Sequence, residues 1–170
     1  MEKYYHIYQS PIGALEICTD EEALLSAHFV QTERNGVRTQ AQLSEADVNE
    51  IMIKTVLQLD LYFEGHLQVF DLPMAQSGTP FQQKVWTSLM DIPYGTTTSY
   101  LKQSRNLGDE KAIRAVASAN GKNAIAIIVP CHRIIGSDGS MTGYAGDLWR
   151  KKWLLELEGA IQKEQVLTLF

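Results

Sequence analysis

Cysteine is scarce in this chain: Cys18 and Cys131 are the only two among 170 residues. One possible bridge in so long a chain is no disulfide scaffold, which excludes a small cystine-held secreted fold. The two thiols stand far apart and the four histidines are scattered, so no metal-ligand spacing exists and no zinc site is expected. Long apolar runs are also missing. Nothing approaches eighteen consecutive apolar residues, which excludes a membrane-spanning helix. The opening MEKYYHIYQS is polar and has no apolar signal segment. These absences together lead to the expectation of a soluble, reduced, cytoplasmic protein with no membrane partner.

Basic residues are few in the first half. Residues 1–77 carry only Lys3, Arg34, Arg38 and Lys54 against twelve Asp/Glu, a balance of -8. Residues 78–170 carry eleven Lys/Arg and eight Asp/Glu, a balance of +3. The whole chain stands at -5, which taken alone argues against a nucleic-acid partner. The split changes that: charge asymmetry between halves hints at an anionic partner for one of them. Hydrophobic residues make up 45% of the chain, enough to bury a core and to exclude wholesale disorder.

The first thirty residues read as a β-meander, with strands over Tyr4–Gln9, Ala14–Thr19 and Ala23–Val30 separated by turns. Ser44 is a candidate cap for a helix whose apolar face takes Val48, Ile51, Met52, Thr55, Val56, Leu59, Tyr62 and Phe63. Leu67–Leu72 reads as a short strand and Pro73–Gly78 as a linker. Beyond it, Thr79 and Pro80 open a helix with Phe81, Val85, Trp86, Leu89 and Met90 as its buried stripe. Two short helices, from Thr98 or Ser99 to about Arg105 and from Glu110 to Ala119, flank a turn that bears a glycine, compatible with a helix-turn-helix. Ile125–Val129 is a short apolar run, and Ile134–Gly143 reads as a hairpin around Asp138-Gly139. Asp147 caps a last helix with Leu148, Trp149, Trp153, Leu154, Leu155 and Leu157 inside, and Gly159 closes it.

Pro130-Cys131-His132-Arg133 carries the chemistry. A thiol becomes a nucleophile as its thiolate, and neighbouring cationic groups favour that form. Glu158 is a candidate third member that would orient His132, giving a Cys-His-acid arrangement. An acid in the last turn of a helix opposes the macrodipole, which points to a specific partner for it. An isolated Cys-His pair is also compatible with a buried structural thiol.

The segments IPYGTTTSY (92–100), RAVASANGKN (114–123), IIVPCHRII (127–135), TGYAGD (142–147) and KKWLLELEG (151–159) together resemble the O6-alkylguanine-DNA alkyltransferase family, the methylated-DNA–protein-cysteine methyltransferases. The resemblance runs from about Thr79 to Gly159, with several motifs in order and at matching spacing. It implies an α+β fold: an N-terminal ribonuclease-H-like domain of sheet and helix over 1–77, then a mostly helical, winged-helix-like domain with the helix-turn-helix over 78–170. It implies a monomer that reverses O6-alkylguanine damage by flipping the base and transferring the alkyl group irreversibly to Cys131. No cofactor is implied. The partner is double-stranded alkylated DNA, held from the minor groove without sequence specificity.

Roles follow residue by residue. Cys131 would accept the alkyl group, His132 would take its proton through a water, and Glu158 would hold the imidazole. Tyr100 would protonate the guanine ring as the C–O bond breaks. Arg114 would fill the gap left by the flipped nucleotide, and Asn123 would brace the turn before Cys131. Tyr144 would wall the base pocket, and the Ala145 N–H would contact the guanine oxygen. The chain departs from the family pattern at Gln103 and Ser104, polar where apolar residues are usual, and at Ala117, Ala124 and Asp147, which stand for glycine, proline and glycine. These departures leave room for a protein that binds lesions without repairing them, a class in which the acceptor cysteine is replaced. A thiol hydrolase built on Cys131, His132 and Glu158 is the third reading.

Overall fold

The computed structural model describes residues 1–30 and 48–163. Strands β1 (Tyr4–Ser10), β2 (Gly13–Thr19) and β3 (Leu24–Phe29) form an antiparallel meander in the order β1-β2-β3. Ser10 pairs with Gly13 across the first turn, so Tyr8 faces Leu15 and Tyr4 faces Thr19. Alternation sends Tyr8, Leu15, Ile17 and Ala27 into the core, and the register shift after Cys18 brings Leu24 to the same side.

Helix α1 (Glu50–Phe63) lies against this sheet. Ser44 lies outside the described residues; Asn49 caps the helix. Its Oδ1 accepts from the Met52 N–H at 2.8 Å, while its Nδ2 donates to the Asp20 carbonyl at 2.6 Å. One side chain thus closes the helix and fastens it to the turn after β2. Met52, Thr55, Leu59 and Tyr62 are buried along the expected face, whereas Val48 precedes the helix and is exposed. Residues Leu67–Leu72 form no strand. The linker after them runs beside β3 instead: Leu24 donates to the Pro73 carbonyl at 2.8 Å and Ala75 to that of Leu24 at 2.9 Å. Ala27 likewise exchanges bonds with Ala124 and Ala126 at 2.9 and 2.7 Å. The outer edge of β3 therefore pairs with both the linker and the segment leading to Cys131, which a hydropathy pattern does not foretell.

Helix α2 (Pro80–Leu89) opens on a capping box between Thr79 and Gln82. Val85, Trp86 and Leu89 are buried, but Phe81 and Met90, expected in the stripe, are exposed because they fall at the rims of that face. The Trp86 indole N–H donates to the Ala119 carbonyl at 2.8 Å and fixes α2 against α4 (Ile113–Gly121). The two-residue strand β4 (Thr98–Ser99) leads into α3 (Tyr100–Asn106), capped by Ser99, and a single 3₁₀ turn leads into α4. Gln103 and Ser104 are buried and paired. Gln103 and Asn120 exchange amide bonds at 3.1 and 2.7 Å, and the Ser104 hydroxyl donates to the Tyr100 carbonyl at 2.9 Å. Gln103 thus locks α3 to α4 and Ser104 is satisfied within its own helix, so packing there is satisfied rather than weakened.

Residues Ile134–Ile135 form β5, which pairs in parallel with β4. No hairpin follows; Gly136 and Ser140 close a turn around Asp138-Gly139. The last helix, α5 (Leu148–Leu157), buries Lys151, Leu154 and Leu155, while Leu148 and Trp149, expected inside, are exposed. Trp149 instead lies against the Arg150 guanidinium, 4.6 Å from its ring centre. Gly159, at φ +73, ends the helix, with the Ala160 N–H returning to the Leu155 carbonyl at 2.9 Å. One core cluster runs from Tyr8 and Leu15 through Tyr62 and Trp86 to Ile134 and Leu154, so both halves of the chain build it.

Asp147 stands at the start of α5 with φ 74 and ψ 146, and its side chain makes no capping bond. That backbone region suits glycine and costs another residue about 1–3 kcal/mol. Its contact with Arg150, at 3.3 Å and largely exposed, returns little. Asp147→Gly is expected to stabilise the protein by about 1 kcal/mol after the entropy of the added glycine is counted, raising the thermal midpoint. Thermal melts of the two proteins check it.

Candidate active site

The approach to Cys131 is built from tight turns. Ile128 donates to the Ala126 carbonyl at 2.8 Å around Ile127, which sits at φ 70. A β-branched residue in the left-handed region is a true outlier, held there only by its surroundings. Pro130 at φ -84 and ψ 62 forms the next turn, with the Cys131 N–H on the Val129 carbonyl at 2.8 Å. Residues 126–129 are therefore turn and bend, and Ile125 alone bridges to Ala27. Asn123 ties the loops together: its Nδ2 donates to the carbonyls of Ile125 and Val129 at 3.2 and 2.8 Å, and its Oδ1 accepts from the Ile125 N–H at 3.1 Å. The same Nδ2 lies 3.3 Å from the Cys131 Sγ.

Cys131 begins a short 3₁₀ turn through Arg133. It is partly buried and lines a cavity of about 540 Å³ with Tyr100, Arg114, Gly143, Tyr144 and Ala145. Burial pushes its thiol pKa up, while the Asn123 hydrogen bond and the nearby Lys151 ammonium act in the other direction. The thiol form prevails at neutral pH, so the site needs a base to make the thiolate.

His132, next to Cys131 in the chain, is fully buried, with its Nε2 at 2.7 Å from Glu158 Oε2. Glu158 also accepts from the Tyr62 hydroxyl at 2.6 Å and from Arg133 at 2.8 and 3.1 Å. Burial works to raise the Glu158 pKa, but the His132 contact and the Arg133 and Tyr62 hydrogen bonds outweigh it and hold the carboxyl at about 2. Burial, helped by the Arg133 and Lys151 charges, lowers the His132 pKa although Glu158 works to raise it. The pair is thus a carboxylate and a neutral imidazole. An ionised carboxylate accepts only, so the network assigns the His132 proton to Nε2 and leaves the Nδ1 lone pair free to take a proton. That Nδ1 is buried without a hydrogen-bond partner in the protein.

The Tyr100 hydroxyl donates to the Thr142 carbonyl at 2.9 Å, and burial raises its pKa, so it carries its proton at neutral pH. The Tyr144 hydroxyl is buried and unpaired at the cavity wall. Arg114 is exposed on α4 at the cavity rim.

Two of the sequence-derived family models describe the chain. The 6-O-methylguanine DNA methyltransferase DNA-binding domain matches residues 80–160, and the ribonuclease-like domain of the same family matches residues 3–76. The chain belongs to the 6-O-methylguanine DNA methyltransferase family. A methylated-DNA--protein-cysteine methyltransferase of Methanosarcina acetivorans is 44% identical over 157 residues, 92% of this chain and 99% of that protein. The crystal structure of Mycobacterium tuberculosis O6-methylguanine methyltransferase shares the architecture, with TM-score 0.82, 41% identity and 94% of each chain covered. Another Mycobacterium tuberculosis structure of this family, OGT in complex with DNA, aligns with TM-score 0.80 and 42% identity over 92% of each chain.

For this methyltransferase-family chain, Tyr100, Arg114, Cys131, Tyr144 and Ala145 share the cavity, Asn123 reaches the thiol from outside it, and His132 pairs with Glu158 in the buried network. Three residues of the site escaped sequence reasoning. Lys151 is fully buried, donates from Nζ to the Thr142 carbonyl at 2.9 Å and is lowered by burial to about 8. Helical spacing held the signal, because 151, 154, 155 and 158 share one face. Tyr62 lay on the predicted face of α1, but its bond to Glu158 spans 96 positions. Gln76 carried no signal.

Proposed function

We propose that this protein is a methylated-DNA–[protein]-cysteine S-methyltransferase that repairs O6-methylguanine in DNA by direct, stoichiometric reversal at Cys131. The observation that carries the reading is a thiol lining the cavity, followed in the chain by a buried histidine whose tautomer the Glu158 network assigns. His132 Nδ1 takes the Cys131 proton through a bridging water. The thiolate attacks the methyl carbon, the C–O bond breaks, and its electron pair leaves with the guanine oxygen. Tyr100 protonates the guanine ring as it leaves, and the Ala145 N–H supports the oxygen. The product is an unactivated thioether, which water does not release, so each molecule acts once.

DNA is the partner. The proposed mode is double-stranded DNA approached from the minor groove without sequence readout, with the target nucleotide flipped into the cavity between Tyr144 and Cys131. Arg114, exposed on α4, fills the vacated stack, and Asn123 braces the thiol loop. The proposed domains are 1–77 and 78–170. The meander with α1 supports a ribonuclease-H-like first half; α3 and α4 joined by a tight turn support a winged-helix-like second half. The protein is proposed to act as a cytoplasmic monomer. Among the described residues no helix is long and apolar enough to cross a membrane.

Incubation with a duplex carrying one O6-methylguanine tests the reading. Mass spectrometry should find one methyl group per protein, on the Cys131 peptide and not on Cys18. Folded protein that leaves the lesion intact and Cys131 unmodified would refute it. A single stoichiometric burst separates this activity from a thiol hydrolase, which would turn over repeatedly.

A further inference from the structure

Gln76 lies in the linker, beside the sheet edge and away from the cavity, yet its side chain reaches the loop that holds the thiol. Its Oε1 accepts from the Ala124 N–H at 2.9 Å, and its Nε2 donates to Asn123 Oδ1 at 3.0 Å. Its own carbonyl accepts from Gln83 Nε2 at 2.6 Å, which pins the linker to α2. The side chain is almost fully buried.

The order of these bonds has a direction. A backbone N–H can only donate, so Ala124 forces the Gln76 oxygen toward itself and turns the Gln76 NH₂ toward Asn123. Asn123 must then present its oxygen to Gln76, leaving its NH₂ for the Val129 carbonyl and the Cys131 Sγ at 2.8 and 3.3 Å. The Ile125 N–H, at 3.1 Å from the same oxygen, is the second donor enforcing that orientation. Ala124 occupies a position where proline is frequent in the resembled family, and a proline has no N–H to give Gln76. The β3 edge brings the pieces together, since it pairs with Ala75 on one side of Gln76 and with Ala124 and Ala126 beside Asn123.

The geometry points to Gln76 as a positioning residue for the Cys131 thiol: through Asn123 it aims an amide donor at the sulfur and so favours the thiolate. The linker and the sheet edge of the first half thereby reach the reacting atom of the second. The inference rests on Cys131 being the alkyl acceptor, but the thiol's own acidity reports it without DNA.

Two variants of similar shape separate the outcomes. Gln76→Met removes both amide bonds. Gln76→Glu keeps an acceptor for Ala124 but sets an oxygen against Asn123 Oδ1. The pH dependence of iodoacetamide labelling, followed on the Cys131 peptide, is the readout. The labelling midpoint should rise in Gln76→Met and rise further in Gln76→Glu, with thiol reactivity and single-turnover methyl transfer at neutral pH each down about threefold or more, the worth of one hydrogen bond. An unchanged labelling midpoint in both folded variants, whatever their melting temperatures, would overturn the proposal and leave Gln76 a packing residue. If neither variant folds, the unaltered protein decides by NMR. The Gln76 side-chain amide resonances should move with the Cys131 titration, because hydrogen bonds in a chain polarise one another; resonances indifferent to it overturn the proposal. Absence of methyl transfer by the unaltered protein, with a thiol that still responds to the substitutions, would by contrast count against the repair reading and not against Gln76.

Discussion

Replacing Cys131 with alanine should abolish methyl transfer while DNA binding survives. The substitution removes the sole group at the cavity able to form a stable bond to the methyl carbon, and nothing around it substitutes: Tyr100 holds its proton, and Lys151 is held by the Thr142 carbonyl. Shape changes little, because Cys131 is a small, partly buried residue. Arg114, proposed to fill the vacated stack, lies on another element, α4. The expected outcome is no detectable transfer in a single-turnover assay, with duplex affinity within about threefold of the parent, a shift smaller than one good hydrogen bond supplies. Affinity should fall as salt rises in both proteins, because Lys and Arg contacts to phosphates displace counterions. Transfer by Cys131→Ala would move the acceptor elsewhere.

Glu158→Gln should damage both stability and rate. The carboxylate serves Tyr62, His132 and Arg133 at once, all within 3.1 Å. A glutamine has one acceptor oxygen and one NH₂. If its oxygen stays toward His132, its NH₂ meets the Arg133 guanidinium; if it turns, its NH₂ meets His132 and Tyr62. Either way donor faces donor, and the buried Arg133 loses its counter-charge. Breaking such a buried pair from one side costs about 3–5 kcal/mol. The His132 tautomer is no longer enforced, so transfer should slow roughly a hundredfold or more, as expected when the acid orienting a catalytic histidine is lost. Denaturant unfolding and single-turnover assays check the two effects.

The same carboxylate sets an acid limit. Glu158 titrates at about 2 in the folded protein against an ordinary 4.5. The unfolded chain therefore binds its proton first as pH falls. The stability that Glu158 supplies is complete above about 4.5 and is lost as pH drops toward 2. In Glu158→Gln that part of the acid sensitivity should vanish. Melts between these pH values, compared for the two proteins, test the sign.

Much of the architecture is local and was legible for that reason. The β-meander follows from alternation and turn residues, α2 from Thr79 and Pro80, and the α3–α4 pair from the Ser99 cap and the glycine-bearing turn between the helices. Errors gathered where periodicity is a weak guide. Leu67–Leu72 is apolar but finds no partner strand. Phe81, Met90 and Leu148 lie at helix ends or rims, where the packing partner alone decides burial, and Trp149 lies opposite the face that Lys151, Leu154 and Leu155 bury. Gln103 and Ser104 looked misplaced in a core because their partners, Asn120 and the Tyr100 carbonyl, are invisible in a hydropathy pattern.

By itself the sequence determined which reactive groups exist and their order: a Cys-His-Arg run after a proline, Glu158 near the end of a helix, Tyr100 at a helix start, Arg114 on the next. Spacing within one helix or turn constrains side chains directly, so these needed no tertiary knowledge. Only the tertiary structure decided the chemical states. Glu158 is a carboxylate, and His132 a neutral base with a free Nδ1, because Tyr62 and Arg133 reach them across the core. Gln76 joins the thiol through Asn123 because β3 offers one edge to two distant segments. Proton placement depends on burial and on partners remote in the chain, and those arise only when the core closes around them.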